Sequence, residues 1–150
     1  MRCSWHAGKV VTLICGMALI SAAHAETITL SIGRPTTTIQ AEVAYTRAAR
    51  ERGLMQRSAL CEDCGMLFVF PDAGRLLFWM KDTPLPLSIA FIAADGHIIN
   101  IEEMQPDSTD IHIARDDALY ALEMNRGWFA RHGIRPGDRV DGLRLAPVGQ

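Results

Sequence analysis

The chain lacks the short motifs that mark common classes of hydrolase. It has no Gly-x-Ser-x-Gly turn to present a serine nucleophile and no His-Glu-x-x-His pattern to bind zinc from a helix. The acidic neighbours Asp116 and Asp117 would point to opposite faces of a strand, so they do not form a catalytic pair. The sequence leaves a hydrolase or lyase as an alternative but favours a protein without enzymatic activity and without a cofactor.

A long apolar run is also lacking. The uncharged stretch Val10–Ala23 is about 14 residues, shorter than the roughly 20 residues that a membrane-spanning helix needs. Because Arg2 and Lys9 precede it and the small residues Ala23 and Ala25 follow it, the pattern is that of a signal peptide. We expect residues 1–25 to be removed and the chain to be exported, to the periplasm or out of the cell.

Two alternatives to a cleaved signal peptide are weaker. An uncleaved membrane anchor would require a longer apolar run. A lipoprotein would be modified at Cys15, but the bulky Ile14 stands where a small residue is expected. After cleavage the chain would begin at Glu26 and have no membrane span.

Strong charge of either sign is absent from the predicted mature chain. Of the 15 basic residues, Arg2 and Lys9 precede the cleavage point, so 13 basic and 17 acidic residues remain and the formal charge becomes −4. A chain with this charge is a poor match for nucleic acid. Without repeats or a linker, residues 26–150 predict one domain, whose partner is a small molecule or an envelope protein.

Cysteine is scarce, and two of the four cysteines precede residue 26. The other two are Cys61 and Cys64, which in an oxidising compartment predict a disulfide. A redox-active pair is an alternative, although the intervening residues Glu62 and Asp63 would favour protonated thiols. A zinc site would need two further ligands, and the spacing of His97, His112 and His132 does not match a zinc-binding pattern.

Alternating polar and apolar residues predict strands at 27–32 and 38–44, and mostly apolar segments predict further short strands. The clearest are 27–32, 38–44, 66–70, 88–92, 118–124 and 140–145. Asp95 and Gly96 predict a two-residue hairpin turn in which Ile92 faces Ile99 and Ala90 faces Ile101.

Two short helical segments complete the pattern. Thr46 is a predicted N-cap for a helix ending at Arg52, with Gly53 after it, and residues 127–132 predict a further helical turn. About seven or eight strands with two short helices indicate a β-sandwich or a partly closed barrel.

Three blocks in order resemble the domain-of-unknown-function family 192: Arg52–Arg57, Gly65–Phe70 and Phe78–Thr83. Shorter matches follow at Pro86-Leu87, Asp95-Gly96, Leu122-Glu123 and Gly133–Asp138, so the resemblance covers roughly residues 30–145. It implies a compact β-rich fold, often exported by bacteria, with no established activity. The chain departs from the family pattern with Asp82 in place of Asn, Ser88 in place of Asp, and the added pair of cysteines.

The segment around Trp79 is the predicted ligand-binding site. On a strand through 76–81, Leu77, Trp79 and Lys81 share one face. Trp79 would stack on a ligand, Lys81 would supply a cation and Arg57 a second one, while Asp82 and Thr83 would provide hydrogen bonds.

The alternative for this segment is packing alone, with the Lys81 stem lying over the Trp79 ring. We also expect Met55 and Met66 to fill the core, and Glu42 and Glu123 to face solvent.

These features favour a small exported binding module. The other functional hypothesis is an envelope protein that binds another protein through an apolar surface continuous with the 65–92 region.

Overall fold

The structure is a computed structural model that describes residues 26–150. The predicted signal peptide lies outside the described residues. Nine strands are found in this part of the chain: β1 Thr27–Ile32, β2 Thr37–Ala44, β3 Cys64–Gly74, β4 Leu77–Phe78, β5 Leu87–Ile92, β6 Ile98–Met104, β7 His112–Ile113, β8 Ala118–Asn125 and β9 Val140–Asp141. They are accompanied by the helices α1 Arg47–Arg52 and α2 Trp128–Arg131 and by one turn of 3₁₀ helix at Leu143–Leu145.

Seven strands form one curled sheet in the order β6-β5-β8-β3-β2-β1-β9, and β4 pairs with β7 in a second sheet. The two edges of the large sheet meet at one end, where His97 bridges Arg139 and the Val140 amide donates a 2.9 Å hydrogen bond to Gly96 O. The prediction of a mostly β fold with a partly closed barrel is therefore confirmed.

Both faces of the central strands are buried. One face of the sheet lines the barrel interior, where Leu67, Leu122 and Trp128 belong to one apolar core. The opposite face carries a second core, which includes Phe68 and Phe91 and is covered by Leu54 and the segment from Leu76 to Leu85. All six residues of β5 are buried, as expected for an apolar strand between two neighbours.

Helix α1 forms where the capping residues predict it. The Thr46 side chain accepts a hydrogen bond from the Ala49 amide at 3.2 Å, and Gly53 ends the helix with φ +47°. A Cβ at Gly53 would lie 3.2 Å from Phe68 Cζ, so this glycine also allows close approach to the sheet. The helix is thereby held against the outer face of β3.

The predicted hairpin is correct in position and shifted in part of its register. Ala90 faces Ile101 and Phe91 faces Asn100, but Ile92 pairs with Ile98 because a bulge interrupts the ladder between Phe91 and Ile92. The turn therefore spans one more residue than the two that Asp95-Gly96 predicted.

The predicted strand 140–145 is wrong beyond Asp141. Gly142 has φ +96°, and residues Leu143–Leu145 form a 3₁₀ turn. A Cβ at Gly142 would lie 2.8 Å from Thr29 O, so the chain turns away where it packs closely on β1.

Among residues 26–150, no helix is long and apolar enough to cross a membrane.

Candidate functional site

A cavity of about 410 Å³ lies between α1 and the outer face of the large sheet. Its lining comes from four separate parts of the chain. These are the α1 region (residues 47 and 50–55), β3 (residues 68 and 70), the β4 segment (residues 77–79 and 83) and residue 123 of β8. The volume falls within the range of small-molecule sites in proteins.

The cavity walls are rich in aromatic side chains. Phe78 makes edge-to-face contacts with Phe68, at 4.9 Å between ring centroids, and with Phe70 at 6.2 Å. These rings converge because Phe68 and Phe70, two residues apart on β3, share the outer face of the sheet, and Phe78 of β4 points towards them. Trp79 completes the wall and remains 47% exposed.

Glu123 supplies the one carboxyl group within the buried part of the cavity lining. It lies on β8 opposite Met66 of β3 and Ile89 of β5, on the sheet face that also carries Ala121. Its side chain is 4% exposed, and burial raises the pKa of its carboxyl group to about 8. At neutral pH the group is therefore mostly protonated, so it can donate a hydrogen bond into the cavity.

Thr83 lies on the loop that borders the cavity near β4. It is buried, and its hydroxyl donates to Lys81 O at 3.2 Å, which leaves its oxygen lone pairs available as acceptors. The same loop is tied to the end of α1, since the Gln56 amide donates to Asp82 O at 2.8 Å. Both Gln56 and Asp82 have positive φ, at 60° and 53°.

The arginines of α1 line the cavity and give this side of it positive charge. Arg47 pairs with Glu51 at 2.8 Å. The Arg50 guanidinium donates to Tyr45 O, Val69 O and Gln150 O at 2.6 to 2.8 Å and lies 4.9 Å from the Phe70 ring centroid. Arg52 is exposed and has no ion-pair or hydrogen-bond partner for its side chain within residues 26–150.

The residues predicted for ligand binding are divided by the structure. Trp79 and Thr83 line the cavity, whereas Lys81 and Asp82 are exposed and are not part of its lining. The Lys81 ammonium lies 5.6 Å from the centroid of the Trp79 ring. Arg57 is also not part of the lining, because both its terminal nitrogens bind the Glu42 carboxylate at 2.5 Å.

The expectation that Glu42 and Glu123 face solvent is wrong. Glu42 is partly buried against Arg57, and Glu123 is almost fully buried. The sequence contained a signal for Glu123, because its neighbours Ala121, Leu122 and Met124 make both faces of β8 apolar. A charged residue in such a strand is expected to be covered. Met66 packs in the core as predicted, while Met55 lines the cavity.

Cys61 and Cys64 form a disulfide with their Cα atoms 5.0 Å apart. The loop between them is fixed from outside, since Asn125 donates to Cys61 O at 2.8 Å and the Trp128 indole donates to Asp63 at 3.0 Å. These contacts connect the loop to β8 and α2. The disulfide therefore anchors the start of β3 and does not line the cavity.

The three histidines considered as zinc ligands lie apart and have local partners. His112 contacts Glu102 at 2.9 Å, His97 contacts Asp95 at 3.1 Å, and His132 contacts the carbonyl of Trp128 at 2.9 Å. In the part of the chain that the structure describes, no three His, Cys, Asp or Glu side chains are placed to hold a metal ion.

The fold and the cavity together define a small β-barrel domain with an aromatic-walled cavity and a buried carboxyl group. The chain belongs to the family DUF192, described as "Uncharacterized ACR", whose model matches residues 28–142. The resemblance seen in the sequence blocks is thus confirmed.

Two solved structures are similar to this chain over nearly their whole lengths. A putative transcription regulator from Sinorhizobium meliloti 1021 is 39% identical, with a TM-score of 0.76, and the match covers 79% of this chain and 95% of that one. A protein of unknown function from Novosphingobium aromaticivorans DSM 12444 is 30% identical, with a TM-score of 0.77, covering 89% and 99%. No curated protein of known function matches the chain.

Proposed function

We propose that the protein is a small-ligand-binding module whose site is the cavity above Glu123. The observation that carries the proposal is a carboxyl group that is 4% exposed, lines a cavity of about 410 Å³ and has its pKa raised to about 8 by burial. Burial of a polar group costs free energy, and a ligand that pairs with the carboxyl group can offset part of this cost. Perturbed carboxyl groups in cavities are typical of functional sites.

The lining favours recognition over catalysis. Aromatic rings from Phe78 and Trp79 offer apolar surfaces for a ligand body, and Thr83 and Glu123 offer polar contacts to orient it. The other charged groups in the lining, Arg47, Arg50, Glu51 and Arg52, all belong to α1 rather than to the strand that carries Glu123.

The direct test is a ligand-observed NMR screen of a small-fragment library against the parent protein and two variants. Trp79→Ala removes a wall of the cavity and should weaken the binding of any cavity ligand by about tenfold or more. Lys81→Ala changes the neighbouring exposed side chain and should leave binding unchanged, because Lys81 is not part of the lining. Hits that bind the Trp79→Ala variant as well as the parent would place the binding elsewhere and refute the proposal.

We also propose that the protein acts after export. The signal-like residues 1–25 support this, as does the Cys61–Cys64 disulfide, since disulfides persist in oxidising compartments. Cell fractionation with N-terminal sequencing should recover a periplasmic or secreted chain that begins at Glu26. Recovery of the full-length chain in the cytoplasm would contradict export.

A second candidate function is binding to an envelope protein. Leu77, Trp79, Ile111 and Ile113 are exposed apolar side chains on and beside the β4–β7 pair, where Leu77 faces Ile113. In this case Ile111→Ser with Ile113→Ser should abolish co-purification of a partner without affecting fragment binding. Unchanged co-purification would count against the surface.

The description of the Sinorhizobium meliloti relative as a putative transcription regulator is not extended to this chain. Residues 26–150 carry 17 acidic and 13 basic residues, a balance that disfavours binding to DNA.

A further inference from the structure

We propose that the cavity selects small organic anions that combine an apolar body with a neutral oxygen acceptor. The anionic group would pair with Arg52 at the α1 side, and the neutral oxygen would accept a hydrogen bond from Glu123. This inference rests on the proposed binding function and adds the chemical class of the ligand.

The charge distribution of the cavity lining favours an anionic ligand. Helix α1 contributes Arg47, Arg50 and Arg52 and a single acid, Glu51, which is held by Arg47. Arg50 is occupied by three carbonyl groups, and the Arg52 guanidinium has no partner among residues 26–150, so it can bind a carboxylate or phosphate. A cationic ligand would have to lie beside this positive group.

Glu123, at the floor of the cavity, favours a ligand that carries a neutral oxygen acceptor. Burial raises the pKa of Glu123, so its carboxyl group is mostly protonated at neutral pH. The protonated carboxyl group can donate to a hydroxyl, carbonyl or ether oxygen. The phenyl rings of Phe68 and Phe78 line the same cavity and fit an aromatic or branched aliphatic ligand body.

The arrangement predicts how affinity depends on pH. The groups that face Glu123 from β3, β4, β5 and the Thr83 loop are apolar or hydroxyl side chains, and the charged groups come from α1. Glu42, on β2, is held by Arg57. Between pH 6 and pH 9 the arginines stay charged, so Glu123 is the titrating group of the cavity lining. Affinity for such an anion should be constant below about pH 8 and fall by up to tenfold per pH unit above it.

The experiment compares three matched probes by NMR titration at pH 6, 7 and 9. 4-Hydroxybenzoate has the anion and the hydroxyl, benzoate lacks the hydroxyl, and tyramine replaces the anion with an ammonium group. We expect 4-hydroxybenzoate to bind best at pH 6 and 7 and to weaken at pH 9. Arg52→Ala should weaken it by about tenfold, and Arg135→Ala, at an exposed arginine away from the cavity, should not.

Glu123→Gln provides the matched control for the pH dependence. The glutamine amide is a neutral donor at every pH tested, so between pH 7 and pH 9 the variant should lose only the small part of its affinity that follows from ionisation of the ligand's own phenol. Preference for tyramine, or equal binding of the anion by parent and Arg52→Ala, would overturn the inference while leaving a ligand-binding cavity in place. If neither these probes nor any library fragment binds at the cavity, the proposed function fails as well.

Discussion

Glu123 holds a carboxyl group in a position where an ionised carboxylate is poorly solvated. Its strand neighbours Met66 and Ile89 are apolar, and α1 covers the sheet face on which it lies. The folded chain therefore keeps the proton up to about pH 8, whereas the unfolded chain releases it near the ordinary value of 4.5. Between these two values folding requires proton uptake, so stability declines as pH rises.

Replacing Glu123 with Gln should remove this decline. The difference in free energy of unfolding, variant minus parent, should grow with pH between 4.5 and 8 by at most about 1.4 kcal/mol per pH unit and be constant outside that window. Urea unfolding from pH 4 to pH 9 measures it, with Glu62→Gln as a control at an exposed carboxylate. A difference that does not change with pH would show that Glu123 ionises normally in the folded protein.

Asp82 has a backbone conformation that few side chains tolerate. Its φ of 53° lies in the left-handed region, where Asn and Asp are enriched and most other residues are strained. This explains why the segment resembling the family accepts Asp at a position where Asn is usual, since both residues suit the same geometry. The carbonyl of Asp82 also accepts the hydrogen bond from Gln56 that joins the two loops beside the cavity.

The effect of a substitution at position 82 on stability should therefore depend on how well the new residue adopts a positive φ, and not on its charge. Asp82→Asn should change stability by less than about 0.5 kcal/mol, whereas Asp82→Ala should cost about 1 kcal/mol. Asp110→Ala removes an exposed carboxylate where φ is not positive and serves as the control. Equal losses for Asn and Ala at position 82 would instead assign the effect to the carboxylate.

At the scale of elements, the Cys61–Cys64 loop joins the end of the α1 region to β3. Its contacts to Asn125 and Trp128 hold it in place independently of the disulfide. Closing so short a loop removes little entropy from the unfolded chain, on the order of 2 kcal/mol at most.

Cys61→Ser combined with Cys64→Ser should therefore still fold, with a loss of about 2 kcal/mol or less in the free energy of unfolding. Chemical denaturation of the parent in oxidised and reduced form provides the matched comparison. A double variant that cannot fold would show that the disulfide contributes more than a local restraint.

The elements predicted best from sequence were those specified by neighbouring residues. Thr46 and Gly53 define both ends of α1, alternation defines β1, and a mostly apolar segment locates β8 within one residue. The end of β9 was predicted wrongly because Gly142 turns the chain where it meets Thr29, a contact between residues far apart in sequence. Contacts of this kind leave no local pattern.

At the scale of the whole molecule, the site depends on the curl of the seven-stranded sheet. The cavity combines α1, β3, the β4 segment and β8, which are separated by up to about 70 residues in the sequence. Trp79 and Thr83 were predicted from their own segment and line the cavity, whereas Glu123 was expected to face solvent although its apolar neighbours on β8 indicate a covered strand. The sequence therefore predicted two of the residues that line the candidate site and missed Glu123.

The central claim is that Glu123 is a protonated, ligand-contacting carboxyl group at the floor of the cavity. It is tested most directly by ¹³C NMR titration of the Glu123 carboxyl carbon, with and without a cavity ligand such as 4-hydroxybenzoate. We expect a pKa of about 8 for Glu123 in the free protein and a higher pKa in the complex, because an acceptor oxygen stabilises the protonated form. A pKa near 4.5 in the free protein, or one that saturating ligand leaves unchanged, would contradict it.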